Sequence, residues 1–373
     1  MRRLDRYLLK ELLTALGYCL AGILVFWLSF ELLGEMDELR RREVGPGAVV
    51  QYLGHRLPLY LLLQIPVALL LSLLYVVSHH ARHNELVAMR SAGLSWWRIA
   101  VPYFGVGTAL SLGLMALNEY VVPDAAARAD AVLERGAGRE AEGAGEWREN
   151  LNFRDPETGR IWLVRAFRPR TGDLVGVDIQ WPGEGGAGER MIAERGFWRN
   201  GRWVFEEVSR FTFPAGMESD PVQTWTNRWE TSGFPETPSH LRSEVKISRL
   251  LGSLRKSRQV QLSLREIGEY RELHPRLAPE MDALLRTWYH DRLASPWTCV
   301  VVVLIAIPAA VGSGRRNPFV GVAASIFVAF AYFVMKEFSL ATGSGGYVPA
   351  WVAAWLPNVV FGGVGALGIW RAR

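Results

Sequence analysis

The chain of 373 residues has two cysteines and four lysines, and both scarcities exclude chemistry. Cys19 and Cys299 each fall inside an apolar run, where a free thiol behaves as a small hydrophobe. The polar region between them has none, so its fold cannot rest on disulfides. Of the lysines, Lys10, Lys246, Lys256 and Lys336, none follows Gly and precedes Ser or Thr as a phosphate-binding loop requires. HExxH, CxxC and GxSxG are missing too. His79 and His83 have the i, i+4 spacing of a metal pair, but with His80 they sit in a basic boundary between apolar runs, and no metal or cofactor is expected there.

What the chain has in quantity is apolar sequence, gathered rather than spread. Half the residues are hydrophobic, and the runs Leu12 to Leu33, Leu57 to Val77, Ile99 to Leu117, Leu293 to Val311, Pro318 to Met335 and Tyr347 to Ile369 carry almost no charge. Each is long enough to cross a hydrocarbon core of about 30 Å at 1.5 Å per residue. Core helices of a protein in water keep a polar stripe, which these runs lack. The composition therefore predicts a membrane α-helical protein with six spans. An enzyme working inside the bilayer would need paired ionisable residues there, and spans two, three, four and six offer none. Transport or scaffolding is the better class.

Basic residues in short loops are held on the cytoplasmic side. Arg2, Arg3, Arg6 and Lys10 precede the first span, Arg82, Arg90 and Arg98 lie between spans two and three, Arg315 and Arg316 between four and five, and Arg371 and Arg373 after six. All fall on one side, which places both termini in the cytoplasm. The first apolar run is too long for a cleaved signal peptide and no small-residue cleavage site follows it before Glu35, so it is expected to remain as an anchor.

The stretch from Val121 to about Arg292 then lies outside the cytoplasm, dividing the chain into residues 1–120, 121–292 and 293–373. Its first part, through EGAGEWREN, is charged and rich in Ala and Gly. From about 150 to 244 come RIWLVRAF, DLVGVDIQW and GRWVFEEVSRFTF, broken by Pro and Gly, which read as strands. Asn200-Gly201 inside WRNGRW predicts a tight hairpin. An inserted antiparallel sandwich or β-jelly roll of roughly 100 residues fits. A capping box of Ser263 and Glu266 opens a helix that His274-Pro275 should close, and a second helix from about Pro279 runs through WYHDRLASP into span four.

NELVAMRSAGLSWWRI, residues 84 to 99, fits neither neighbouring span. On a helix Arg82, Glu85, Leu86 and Met89 share a face, Gly93 suits a left-handed terminus and Ser95 suits the cap of the next helix. A short cytoplasmic helix near 81–93 is expected. It could be an amphipathic turn between spans, or a coupling helix that docks in a groove of a separate ATPase.

This segment resembles the E-L-x-x-x-x-x-x-G-x-S/T pattern of the LptF/LptG permeases, the membrane subunits of the lipopolysaccharide-transport ABC exporter. LDRYLLKELL at 4 to 13, NEYVVP at 118 to 123, YHDRLASP at 289 to 296 and GGYVPAWVAAWLPN at 345 to 358 resemble the family in the same order. The LDRY opening, the Asp37-x-Leu39 spacing and Trp355-Leu356-Pro357-Asn358 look more like LptG than LptF.

The resemblance implies a non-catalytic permease subunit. Its partners would be an LptB-like ATPase dimer, a second LptF/LptG-type permease, and LptC/LptA-like periplasmic jelly-roll proteins, with lipopolysaccharide as cargo and no nucleic acid. Glu85 matches the coupling-helix acid, with Leu86, Met89 and Arg90 beside it for docking. Arg40 and Arg41 match a basic pair facing the lipid A phosphates, and Arg42 extends it. These three arginines already break the positive-inside trend, and Arg can fork onto phosphate with two hydrogen bonds; the acids Glu35, Asp37, Glu38 and Glu43 would equally pair them as a solvated loop. Lys336, near the outer end of span five, is a further phosphate candidate, since spans one and five form the family's lateral gates. The outer domain would join a bridge carrying lipid onward. Its aromatics Trp162, Phe167, Trp181, Phe197, Trp203, Phe205 and Phe211 are mostly core, and some could line an acyl slot. The rivals are another ABC permease class with a large periplasmic domain, which usually has four spans, and a scaffold without an ATPase.

Overall fold

A computed structural model describes residues 3–41, 44–125, 128–129, 132, 147–155, 158–168, 171–183, 188–213, 221–244, 262–274, 277–311 and 318–371. The chain forms two compact units, one of Met1–Gly138 with Pro279–Arg373 and one of Arg139–Ala278.

In the first unit, α1 runs from Arg3 to Arg41 and α2 from Pro46 to Arg82. Pro46 can open α2 because its missing N–H would have no partner in the first turn. The short α3, Glu85–Ser91, is set off by two backbone reversals: Asn84 takes φ 57° before it and Gly93 φ 84° after it. Ser95 then caps α4, Trp96–Ala116, by accepting from the Arg98 amide at 3.3 Å, which satisfies one of the donors a helix start leaves open. α4 passes into a π-helical turn, Leu117–Val121.

The second unit is built on six antiparallel strands in one sheet: β1 Arg148–Arg154, β2 Ile161–Phe167, β3 Leu174–Pro182, β4 Gly188–Arg199, β5 Arg202–Phe213 and β6 Val222–Thr231. Each strand pairs with the one before it, a meander. The β4–β5 hairpin turns on Asn200 and Gly201, φ 50° and 75°, with Arg199 opposite Arg202. This is the turn that the Asn-Gly pair predicts. Alternate residues fill one face: Trp162, Phe167, Leu174, Val177, Ile179, Met191, Trp203 and Phe205 are buried, with Phe234 from the following loop. Trp203 donates from Nε1 to the Glu236 carbonyl at 2.6 Å, so its polar tip is satisfied in the core. Trp181, Phe197 and Phe211 are only half-buried. The charged lead-in at 133–146 lies outside the described residues.

The expected capping box is present: the Glu266 amide donates to Ser263 Oγ at 3.1 Å and the Ser263 amide to Glu266 Oε2 at 2.9 Å, opening α5, Leu264–Leu273. α6, Pro279–Ala294, returns to the first unit. A single 3₁₀ turn, Ser295–Trp297, separates it from α7, Thr298–Val311, because Pro296 has no N–H to continue the ladder. α8 spans Pro318–Ser344 and α9 Ala350–Arg371. Among the described residues, six helical stretches are long and apolar enough to cross a membrane. A membrane helical protein with an inserted antiparallel sheet domain is therefore the architecture.

Small residues let α7 sit deep in the helical unit. A Cβ on Gly107 of α4 would lie 2.9 Å from Val303, and one on Gly365 of α9 would lie 2.6 Å from the Leu304 carbonyl. Such close backbone approach is how helices pack where lipid offers no hydrophobic drive between them.

At the end of α5, His274 Nε2 meets Glu244 at 2.9 Å while its Nδ1 lies 2.9 Å from the Tyr270 carbonyl. Burial pushes this imidazole down, but those two acceptors outweigh it and hold it above its ordinary 6.5. A raised folded value contributes stability that is complete below 6.5 and is lost as pH rises through the folded value. Urea unfolding of the full chain in detergent should show a stability loss above neutral pH that His274→Gln removes.

Candidate functional site

Three helices converge on Glu85. Tyr7 of α1 donates to both its carboxylate oxygens at 3.2 and 3.1 Å. His80, near the end of α2, places Nδ1 2.7 Å from Glu85 Oε2 and Nε2 3.3 Å from Glu11 Oε2. The His80 side chain is 0% exposed, whereas those of Glu11 and Glu85 are 29% and 32% exposed. The buried imidazole thus hydrogen-bonds Glu85 and stands within ion-pair distance of Glu11, and both carboxylates still reach water. Burial would raise the Glu85 carboxyl, but the hydrogen bonds from His80 and Tyr7 prevail and hold it below its ordinary 4.5. Beside this clamp Arg98 of α4 pairs with Asp5 of α1 at 2.9 Å, so α1 is tied to the helices on both sides of α3.

The apolar residues of α3 point the other way from the expectation of outward knobs. Leu86 and Met89 are buried in the core formed with Leu8, Leu12, Ile99, Ala100 and Tyr103. A small apolar cavity lies next to Leu86, lined also by Val77, Trp96 and Ile307. The face left to solvent carries Val87, 63% exposed, with Ala88, Arg90 and Ser91. Arg90 lies 5.2 Å from the centre of the Trp96 ring and donates to the Leu94 carbonyl at 3.3 Å. Periodicity identified one apolar face on α3; it could not say whether that face met the chain's own core or a partner. His83 turns Nδ1 to the His79 carbonyl at 2.9 Å, the ordinary use of a histidine at a helix end.

At the opposite end of α1, Arg40 and Arg41 are exposed, and Arg41 Nε donates to the Asp37 carbonyl at 3.3 Å. Arg42 lies outside the described residues. Nearby on the same two helices, Arg56 of α2 pairs with Glu31 of α1 at 2.8 Å and lies over the Tyr52 ring at 5.0 Å.

Lys336 is an interior residue of α8, and it is paired. Its Nζ donates to Ser295 Oγ at 2.7 Å and lies 3.3 Å from Asp291 Oδ1 of α6. The sequence set Lys336 just after the fifth apolar run and Asp291 just before the fourth, 45 positions apart on different helices, so their pairing was not legible there. Around them is a polar belt. Arg292 donates to the Asn118 carbonyl in the π turn at 2.8 Å, and Asn358 donates to the Ala294 carbonyl at 2.8 Å. Tyr332, 2.7 Å from Thr298 Oγ1, donates to Asn358 Oδ1 at 2.7 Å. Three of the segments that resemble the permease family, NEYVVP, YHDRLASP and the run ending at Asn358, are thereby bonded to one another.

These features define a class: a multi-pass membrane transport subunit with an inserted sheet domain. The chain belongs to the family of lipopolysaccharide export system permeases LptF/LptG, which it matches over residues 6–371, and this makes it a protein of the inner membrane. A search of curated proteins finds no match to it.

Removing a buried hydrogen-bonding group that serves charged partners costs roughly 1.5–3 kcal/mol, whereas a half-exposed ion pair contributes about 1 kcal/mol or less. Thermal unfolding in detergent should therefore rank His80→Ala well below Arg98→Ala.

Proposed function

We propose that this chain is one of two permease subunits of an ABC exporter that extracts lipopolysaccharide from the outer leaflet of the inner membrane and passes it to a periplasmic bridge. Both termini and α3 are cytoplasmic, and the sheet domain is periplasmic. ATP is hydrolysed by a separate LptB-like dimer, and this subunit converts that motion without catalysis of its own. Its second subunit is another LptF/LptG-type chain, and the LDRY opening, Asp37-x-Leu39 and Trp355-Leu356-Pro357-Asn358 favour assigning this one the LptG-like place.

The observation that carries this reading is the clamp on Glu85. A docking helix transmits force only if it is fixed to what must move, and α3 is fixed to α1 and α2 through Tyr7, Glu11 and His80. Leu86 and Met89 anchor α3 from beneath, leaving Val87 and Arg90 to meet the ATPase groove together with the exposed edge of Glu85. The carboxylate is kept ionised for a basic residue of that groove.

Arg40 and Arg41 at the other end of α1, with Arg42 next in sequence, receive the lipid phosphates, and Lys336 receives them from α8. Closure of the ATPase dimer pushes α3, the two permeases close their shared cavity, and the lipid moves toward the sheet domains. Among the described residues β6 pairs only with β5 and is largely exposed, so it offers an edge to which a strand of an LptC- or LptA-like domain can add.

Affinity purification from membranes tests this directly. The wild-type chain should bring down an ATPase and its ATP hydrolysis, and Glu85→Ala should lose most of both. Failure of the wild type to retain any ATPase in gentle detergent would argue for a scaffold instead.

A further inference from the structure

The Asp291–Lys336 pair stands between two helices of the membrane unit at the level of a helix break. Lys336 lies 18 residues into α8, about 27 Å from its start at 1.5 Å per residue. Ser295, whose Oγ accepts a hydrogen bond from Lys336, opens the 3₁₀ turn between α6 and α7. The Lys336 and Asp291 side chains are 17% and 27% exposed, so the pair is packed but not sealed.

We propose that Asp291 sets the charge selectivity of the lipid site. It holds Lys336 in an internal ion pair that only an anion more highly charged than a carboxylate displaces, so that a phosphate monoester claims the lysine and neutral or singly charged headgroups do not. This rests on the reading of Lys336 as a contact for lipid phosphate.

Three physical points support the assignment. An isolated ammonium in a span is costly, and a carboxylate partner lets the charge persist there before any substrate arrives. An ammonium has three protons; Ser295 accepts one hydrogen bond and Asp291 holds the group by charge at 3.3 Å, so a second anion can still be bonded. A carboxylate carries one negative charge and a phosphate monoester about 1.5 to 2 at neutral pH. At equal distance the exchange therefore favours the monoester and is close to neutral for a phosphodiester or a carboxylate. The break at Ser295–Trp297 gives α6 a joint about which Asp291 can withdraw.

The test is binding of diphosphorylated lipid A, of the same lipid after phosphatase treatment, and of phosphatidylglycerol, a phosphodiester with one negative charge, to the full chain assembled with its permease partner in nanodiscs. Asp291→Asn should tighten binding of the singly charged phosphatidylglycerol by about three- to tenfold, narrowing the preference for the phosphorylated lipid, and leave the dephosphorylated lipid unchanged. The double substitution Asp291→Asn/Lys336→Gln, which leaves no uncompensated carboxylate, should abolish that gain, and Lys336→Gln alone should lower the preference for the phosphorylated lipid. A wild-type preference for phosphate that Asp291→Asn leaves unchanged would overturn the inference alone. So would a gain that persists without Lys336. Absence of any phosphate preference in all variants would overturn the glycolipid reading together with it.

Discussion

A polar group inside hydrocarbon has no water to bond, so each must find its partner within the protein. This constraint shapes the membrane unit. Where α4 unwinds into a π turn, the Asn118 carbonyl is taken by Arg292; where Pro296 breaks the helix, the Ala294 carbonyl is taken by Asn358. Ser339 reaches the Ala353 carbonyl at 2.7 Å and joins α8 to α9. At these three points a carbonyl of one helical segment is satisfied by a side chain of another, which ties those segments together. The same rule keeps Lys336 beside Asp291 and Arg56 beside Glu31.

α1 connects the two ends of the unit. It is one helix of 39 residues, about 58 Å long, with Tyr7 and Glu11 in the Glu85 clamp near its start and Arg40 and Arg41 at its end. On the proposed function a push on α3 is delivered through His80 and Tyr7 to this rod rather than dissipated in a loop. On the same proposal, lipid phosphates are met where the rod ends. The arginines also suit that terminus because the carbonyl end of a helix favours positive charge.

Local chemistry was legible in the sequence, and facing was not. Asn200-Gly201, Ser263 with Glu266, and Ser95 before α4 act within three residues, and each forms the turn or cap its side chain favours. The apolar runs announced the spans because lipid demands unbroken apolar length. By contrast, Leu86 and Met89 give the same i, i+3 signal whether they face inward or outward, and tertiary packing turned them inward. His80 looked like one more basic residue at a boundary because its bond to Glu85 crosses the backbone reversal at Asn84 and its second carboxylate neighbour, Glu11, lies 69 positions away. Strand order was hidden for a related reason, since alternation reports which residues share a face and not which strands are adjacent. The extension of α8 through Lys336 went unseen because a charge ended the apolar run, and only Asp291, remote in sequence, makes that charge acceptable.

The central claim is that ATP-driven motion enters through the clamped helix at Glu85 and moves lipopolysaccharide. The most direct measurement is lipopolysaccharide transfer from proteoliposomes containing the assembled complex to a soluble acceptor, with and without ATP, for the wild type and Glu85→Ala. The account predicts ATP-dependent transfer by the wild type and near-background transfer by the variant. Wild-type transfer that ignores ATP, or full ATP-dependent transfer by Glu85→Ala, would contradict it.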